Sequence, residues 1–598
     1  MHTHTLQTAS GNLFVSLDES GLNILRGPER ELLMTSRGLG FFQPVFAGVS
    51  AAPTVRCIRS EAALAVVSYD LDGVSGMELF IEARESAIDF WVQFVAGRDC
   101  ELNALKLFPE NTGLNFYDLV NFRNRHRTDR TWPELVLGHS FETTTFSDDW
   151  QFAPHPTAML FRKSGHSLFT GFLDLQPTFG MKLKVEKNLV KNWELDYGKA
   201  PHGLKLRAGE KFRSGRLRLF TSDSVCPYEV FTSFGRMLID EGSISDPALK
   251  QRADWWTEPL YCTWNDQTLL ADSEAETELV HQTAGKVKDV IAKLDEAMVW
   301  RAVDVIRREK LPIRTIILDE GWNRARGDWQ PHPQRFPNLR KLVDDLHRLG
   351  FKVMVWWSWA EIAPGADVPE WQLAGRGWKN RHGSYWRDYS DPRIQEEYFK
   401  PLMRTLFSSE AGCYDLDGIK TDFLADKVHP DTCLHDPAWR GEEMYFYRLT
   451  EMFYREMRCH KPDALHLGCA GHFWLAQFID LNRTYDVHST NWLEHEERAR
   501  MLMCTSPGVP VSYDMMIFSE NTDKYFASAA KLGAAVEIGN VLVQKDNIFS
   551  ETRPVDGAYL DLLREGCLAT GGKPLSGMDR DDEQNADHRD NQPISSLA

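Results

Sequence analysis

An antiparallel β-sandwich followed by a closed (β/α)8 barrel is the architecture written into these 598 residues, and three features point to it. Up to about Pro247 the chain alternates apolar and polar residues between turn clusters, as in Arg216-Leu217-Arg218-Leu219. That is the period of half-buried strands. From Trp255 onward short apolar strands alternate with helical stretches, the pattern of βα units around a parallel sheet. Those strands end repeatedly in carboxylates, and in a barrel the C-terminal strand ends open onto the site where chemistry is done.

The sandwich is expected over residues 1–247, with its alternating stretches at Leu64 to Leu71, Leu79 to Val95 and Leu204 to Thr221. No long amphipathic helix is expected to interrupt them. The barrel is expected over 248–575. Its strands are read at Tyr261 to Trp264, Arg314 to Leu318, Phe351 to Trp357, Gly418 to Lys420, Ala464 to Gly468, Tyr485 to Ser489, Val509 to Tyr513 and Val541 to Gln544. Leu339, Leu342, Val343, Leu346 and Leu349 keep a helical period that stops at Gly350, a residue type that closes helices. Pro312 ends a helix near Lys310, and two more helices run from Glu443 to Met457 and from Glu494 to Met503. The loop from Ser358 to Pro392 carries Trp371, Trp378 and Trp386 and is expected to wall the site. Residues 576–598 are polar and charged, with little to bury, and read as a disordered tail.

Against 86 Asp and Glu stand 68 Lys and Arg, a net charge of −18. That balance argues against a nucleic-acid partner, which requires a basic face to neutralise phosphates. No apolar run approaches a membrane span. The N-terminal Met-His-Thr-His-Thr-Leu-Gln lacks the basic and apolar regions of a signal peptide. The ten cysteines have no Cys-x-x-Cys spacing, so neither a disulfide framework nor a zinc site is expected. A reduced, cytoplasmic protein without metal or cofactor follows. Of the nineteen tryptophans, more than half are expected in cores, and the rest offer apolar faces to sugar rings.

The segment Gly418-Ile419-Lys420-Thr421-Asp422 is the most informative in the chain. Lys420 and Asp422 lie two apart on a strand and point to the same face. A nearby cation keeps a carboxylate ionised, which suits a nucleophile; a structural ion pair on the barrel rim has the same signature. Other strand ends add Asn265 and Asp266, Asp319 and Glu320, Trp356 and Trp357 with Glu361, Cys469 and His472, His488, Asn491 and Glu494, Asp514, and Asp546. So many carboxylates at one mouth suit a neutral polyhydroxy ligand whose hydroxyls donate to them. Composition and spacing stop at that substrate character.

Several blocks in order are similar to glycoside hydrolase family 36. Leu318-Asp319-Glu320-Gly321-Trp322, then Gly327-Asp328-Trp329 and Phe336-Pro337, resemble its second-strand block. Gly350-Phe351-Lys352-Val353 with the Trp pair resembles its third strand, and Asp417 to Asp422 its Lys-x-Asp nucleophile strand. Gly468-Cys469-Ala470-Gly471 resembles its Cys-rich fifth-strand turn. The resemblance covers roughly Trp255 to Leu563 and extends to clan D, which holds families 27, 31 and 36. It implies a retaining α-glycosidase of α-galactosidase type, with Asp422 as the nucleophile that forms a covalent glycosyl-enzyme. It further implies that Lys420 binds the sugar and holds Asp422 ionised, and that Asp319 and Glu320 receive ring hydroxyls. Trp322, Trp357, Cys469, Asn491 and Asp514 complete the expected substrate contacts. An oligosaccharide or glycoside is the expected ligand.

Two departures qualify the resemblance. The family has Ser-Asp after its sixth strand, and Thr490-Asn491 stands there in this chain. Asn491 cannot donate and recover a proton as a carboxyl does. Glu494 and Asp486 are the candidates for acid/base, although Glu494 also fits as a helix N-terminal charge and Asp486 as a strand-end hydrogen-bonding group. Otherwise the chain is a carbohydrate-binding protein with a disabled site, or a transglycosylase differing only in its acceptor. His429, His435 and His472 near the mouth leave a metal-dependent hydrolase as a further alternative. Little chain follows the eighth helix where families 31 and 36 carry a second sandwich, so a homo-oligomer partner is expected to cover the lower edge.

Overall fold

The computed structural model describes residues 3–48, 52–120, 134–137, 141–144, 158–272, 289–358, 360–374, 383–422, 434–485 and 491–573. The N-terminal half is built from an eleven-stranded and a ten-stranded antiparallel sheet. The period-two pattern decides which side chains meet. Along Val74–Ala83, Met77, Leu79, Ile81 and Ala83 are buried, and Phe90, Val92, Phe94 and Ala96 do the same along Ala87–Ala96. They join Leu13, Val15, Leu17, Leu22 and Ile24 of the other sheet in one core. Phe46 meets Phe94 edge-on across it, with ring centroids 5.7 Å apart. The alternating segment from Leu79 to Val95 belongs to a hairpin that turns between Ala83 and Ala87.

A helix does interrupt the region before Pro247, contrary to the sequence expectation. It spans Pro227–Asp240 and buries Val230, Phe231, Phe234 and Leu238 on one stripe. Its aromatic and β-branched content resembles a strand's, although Val230, Phe231, Phe234 and Leu238 keep the helical period and Pro227 stands in the first turn. Phe234 lies 4.8 Å from Phe169 of the sandwich and 5.4 Å from Phe473 of the barrel, by ring centroids. The helix thus fills the seam between the two halves. A side chain at Gly235 would meet Pro507 at 2.8 Å, so the close approach there needs glycine.

Eight parallel strands close the barrel: Leu260–Cys262, Thr315–Leu318, Lys352–Ser358, Gly418–Asp422, Leu465–Gly468, Leu481–Arg483, Val511–Tyr513 and Ala535–Ile538. Six overlap the expected segments. The sixth strand is Leu481–Arg483 rather than Tyr485 to Ser489; Tyr485 already has a left-handed φ of 63°, which ends an extended run. The eighth is Ala535–Ile538, not Val541 to Gln544, because Val543–Gln544 pairs antiparallel with Arg553–Pro554 in a separate ribbon.

Leu260, Cys262, Ile317, Met354, Leu465, Leu467, Leu481 and Ala535 pack together, with Trp255 and Trp256 in the same cluster. These are inward-facing strand residues, the layered packing a barrel interior uses. Alternate strand residues, such as Ile316, Val353, Val355, Ile419 and Val536, join the outer helices in the largest core. Those helices start and stop by local chemistry. Asp295 accepts from Met298 N at 2.7 Å and Asn338 from Lys341 N at 3.0 Å, each satisfying an amide left unpaired at a helix start. Gly350, with φ 85°, follows the helix Leu339–Arg348. The expected wall loop instead carries a three-stranded sheet of Glu361–Ile362, Tyr385–Arg387 and Leu373–Ala374. Trp386 is buried there against Tyr445 and Phe446, and Arg393 lies 3.9 Å over the ring of Trp371. Trp378 and the tail 576–598 fall outside the described residues. No helix among the described residues is long and apolar enough to cross a membrane.

Candidate active site

The fourth strand, Gly418–Asp422, delivers the centre of the site. Its register against the third strand pairs Trp356 with Lys420, Trp357 with Thr421 and Ser358 with Asp422. Lys420 and Asp422 therefore face inward with Trp356, while Thr421 and Trp357 face the helices. The strand fits only because residue 418 is glycine: a Cβ there would lie 2.4 Å from the Leu465 carbonyl oxygen.

Among the described residues two donors hold Asp422, one on each oxygen. Trp356 Nε1 donates to Oδ2 at 3.0 Å, and Arg483 Nη2 donates to Oδ1 at 2.7 Å. Arg483 ends the sixth strand and is fully buried; its Nη1 reaches Asp514 Oδ2 at 2.5 Å. Burial works against the guanidinium's charge, but Asp422 and Asp514 hold it firmly protonated. Asp514 is likewise buried; burial would raise its pKa, and Arg483 and Lys420 bring it below the usual carboxylate value. The Asp422 side chain is 13 % exposed, against 5 % for Asp319 and 0 % for Asp514 and Glu537. Asp422 thus stands nearest the solvent of the four.

The ammonium of Lys420 lies 3.1 Å from Asp319 Oδ2, 3.2 Å from Cys262 Sγ and 3.4 Å from Glu537 Oε2. The cation expected to accompany Asp422 was Lys420, and the guanidinium of Arg483 occupies that place. Burial disfavours the charge on Lys420, yet Asp319, Cys262 and Glu537 hold its pKa well above the ordinary lysine value. Cys262 donates to Asp319 at 3.0 Å, and burial together with that carboxylate keeps it a thiol. Asp319 also accepts from the Glu320 amide at 2.8 Å.

Glu320 reaches the mouth but both its oxygens are occupied. Arg326 grips them at 2.6 and 2.8 Å and also holds Glu361 at 2.8 Å. Burial raises the pKa of Glu320 against the pull of Arg326. The same guanidinium lies 5.3 Å over the ring of Trp356, a cation–π contact. A second arginine thereby steadies the tryptophan that donates to Asp422.

Four of the expected contacts are buried and engaged by other protein groups. Trp322 is fully buried, donates to the Trp356 carbonyl at 2.9 Å and stacks on Trp329. Trp357 stacks on Trp329 at 4.0 Å and meets Phe453 of the helix layer. Both rings are buried among aromatic side chains, and the tryptophan that faces inward with Lys420 and Asp422 is Trp356. Cys469 is buried with Sγ 3.6 Å from the Thr421 carbonyl, alongside the strand that bears Asp422. Asp514 is engaged by Arg483. Of the other strand-end carboxylates, Asp266 is buried, accepts from Tyr261 and from the amides of Val541, Leu542 and Val543, and has its pKa pushed up to about 6 by burial. Asp546 pairs with Arg553 inside the ribbon.

The helix Trp492–Thr505 follows the sixth strand, and Asn491 stands at its N-cap, half-buried, its carbonyl accepting the Glu494 amide at 3.1 Å. Glu494 is buried and paired with Arg498 one turn on; Arg498 Nη1 also donates to the carbonyls of Thr484 and Tyr485, both at 3.2 Å. Asp486, His488 and His429 lie outside the described residues. His472 pairs with Glu443 at 2.8 Å. Among the described residues no three His, Cys, Asp or Glu side chains are grouped to hold a metal ion.

Sequence reasoning missed Arg483, Glu537, Cys262 and Arg326. The first two sit on the two strands that were misplaced; each faces the interior with a charge where an apolar residue is the usual strand signal.

The barrel segment 280–503 matches the family model for the glycosyl hydrolases family 31 TIM-barrel domain. Over 72 residues the chain is 32 % identical to the A type blood α-D-galactosamine galactosaminidase of Flavonifractor plautii, a match spanning 11 % of this chain and 6 % of that relative. Among solved structures, the family 36 α-galactosidase AgaB of Geobacillus stearothermophilus superposes with a TM-score of 0.59 at 13 % identity, covering 95 % of this chain and 86 % of that one. The α-N-acetylgalactosaminidase NagBb of Bifidobacterium bifidum, solved with GalNAc, gives 0.59 at 11 % identity, covering 96 % and 93 %. The chain thus carries a barrel segment similar to that of family 31 within a fold shared along nearly its whole length with these family 36 and α-N-acetylgalactosaminidase structures.

Proposed function

We propose that the protein hydrolyses α-linked galactosides or N-acetylgalactosaminides with retention, through a covalent glycosyl-enzyme on Asp422. The observation that carries this reading is the pair of donors on Asp422, Trp356 Nε1 at 3.0 Å and Arg483 Nη2 at 2.7 Å. They fix the carboxylate at the top of the fourth strand while its side chain keeps solvent access. In the first step an Asp422 oxygen bonds to the anomeric carbon as the glycosidic bond breaks, and a second carboxyl protonates the leaving oxygen. In the second step water replaces Asp422, giving its proton back to that carboxyl. Asp319, anchored by Lys420, receives ring hydroxyls. The chemistry calls for no metal or cofactor. Solved neighbours of this fold were crystallised with raffinose and stachyose, which supports an oligosaccharide substrate.

The acid/base comes from the segment after the sixth strand, where Glu494 and Asp486 are the carboxyls. The engagement of Glu494 by Arg498 and the asparagine at the family position favour one rival, a sugar-binding protein without turnover. Incubation with an activated 2-fluoro α-galactoside distinguishes the two. A turnover-dependent mass increment on the peptide bearing Asp422 supports hydrolysis, whereas sugar binding with no adduct and no released aglycone supports the rival.

A further inference from the structure

Glu537 projects from the eighth strand into the barrel and takes no part in the steps above. Its side chain is fully buried, and neither oxygen has a well-formed hydrogen bond among the described residues. Lys420 Nζ, 3.4 Å away, is its ion partner. The same ammonium lies 3.1 Å from Asp319, so one cation is shared between two carboxylates.

We propose that Glu537 is a positioning residue for sugar binding, governing through Lys420 how strongly Asp319 accepts the ligand's hydroxyls. This rests on the reading of Asp319 given above. When Glu537 is ionised, Lys420 divides its charge and Asp319 stays a strong acceptor. When Glu537 carries a proton, Lys420 is drawn onto Asp319 alone and that carboxylate is partly neutralised. The groups facing Glu537 are Cys262 on the first strand, Lys420 on the fourth, Arg483 on the sixth and Asp514 on the seventh, with Asp319 beyond Lys420. Tyr525 donates to its backbone carbonyl at 3.1 Å. Burial pushes the Glu537 pKa up to about 7, with Lys420 and Arg483 opposing and Asp514 adding to the rise. The switch therefore lies near neutral pH.

The test compares wild type with Glu537→Gln, which keeps the shape and removes the titration. In the wild type, KM should fall as pH rises through neutrality. The variant should hold KM about three- to tenfold above the wild-type alkaline value, flat with pH and with kcat changed less. A variant KM that tracks the wild-type profile overturns the proposal. Because the variant could misfold, a second measurement uses wild-type protein with glutamate-selective ¹³C label, which sets aside Asp266. The carboxylic-acid stretch that titrates near neutrality is followed by infrared with and without N-acetylgalactosamine. By linkage, a sugar that prefers the ionised state must lower that midpoint; a midpoint unmoved by the sugar overturns the proposal. Turnover retained in Asp422→Ala would sink the nucleophile assignment instead, and it leaves both of these readouts intact.

Discussion

Arg483 Nη2 lies 2.7 Å from Asp422 Oδ1 while the other arm of the same guanidinium lies 2.5 Å from Asp514. The nucleophile candidate is thus tied to the seventh strand through a planar fork, a geometry lysine cannot reproduce. Arg483→Lys is expected to lower kcat by about a hundredfold or more, since a small displacement of a reacting group is that costly. KM should move far less. Steady-state kinetics on an aryl α-galactoside check it, and a variant with unchanged kcat removes Arg483 from the site's function.

Trp356 supplies the second donor to Asp422. Trp356→Phe keeps an aromatic ring near Arg326 but removes the pyrrole half of the indole together with its N–H. A hydrogen bond to a charged group contributes roughly 1.5–3 kcal/mol, so kcat/KM should fall about ten- to a hundredfold. Trp357→Phe, one position along and facing Phe453, should instead lower the melting temperature and leave kcat/KM within about threefold, because core substitutions act on stability.

That contrast also marks where the sequence was legible. Lys420 and Asp422 were readable because Gly418 to Asp422 is a short buried run with polar residues at one end. Asp319, Glu320 and Trp322 were found because their block resembles the second-strand block of family 36. Which of the adjacent Trp356 and Trp357 faces inward was not legible, because that depends on strand register, and register is set by pairing across the sheet. Arg483 and Glu537 were hidden for a related reason. Leu481-Asn482-Arg483 and Ala535-Val536-Glu537-Ile538 hold charges inside a barrel, where they are stable only because each meets an opposite charge from a strand distant in sequence. Neighbouring apolar stretches at Val509 to Tyr513 and Val541 to Gln544 offered equally good strand patterns, and only the first of them was a barrel strand.

The acid/base question separates by leaving group. If Glu494 holds the role, Glu494→Gln should lose turnover of substrates with poor leaving groups by about 10²–10⁴-fold, the range of general acid catalysis. An activated aryl glycoside should be cleaved nearly normally, with azide restoring the deglycosylation step. The same pattern in Asp486→Asn, with Glu494→Gln active, assigns the role to Asp486. Should neither variant show it, the two-carboxylate mechanism loses its second carboxyl.

Asp417 sits just before the fourth strand and anchors its lower end. Its carboxylate takes His347 at 2.6 Å, Lys352 at 2.9 Å, Lys461 at 3.0 Å and the Val353 amide at 2.9 Å. Burial would raise its pKa; those partners, His347 first, hold it well below the usual carboxylate value. A lowered folded-state pKa means stability that is present above the unfolded value, about 3.9, and lost as pH falls through the acid range. Wild-type melting temperature should therefore drop steeply in that window. Asp417→Asn leaves the Lys352 and Lys461 ammonium groups short of a partner, and breaking a buried pair costs about 3–5 kcal/mol. The variant should melt lower at neutral pH and lose less on acidification, so the two melting curves converge as pH falls. Parallel curves from neutral to acid pH would mean that Asp417 is not what ties the base of the strand that bears Asp422.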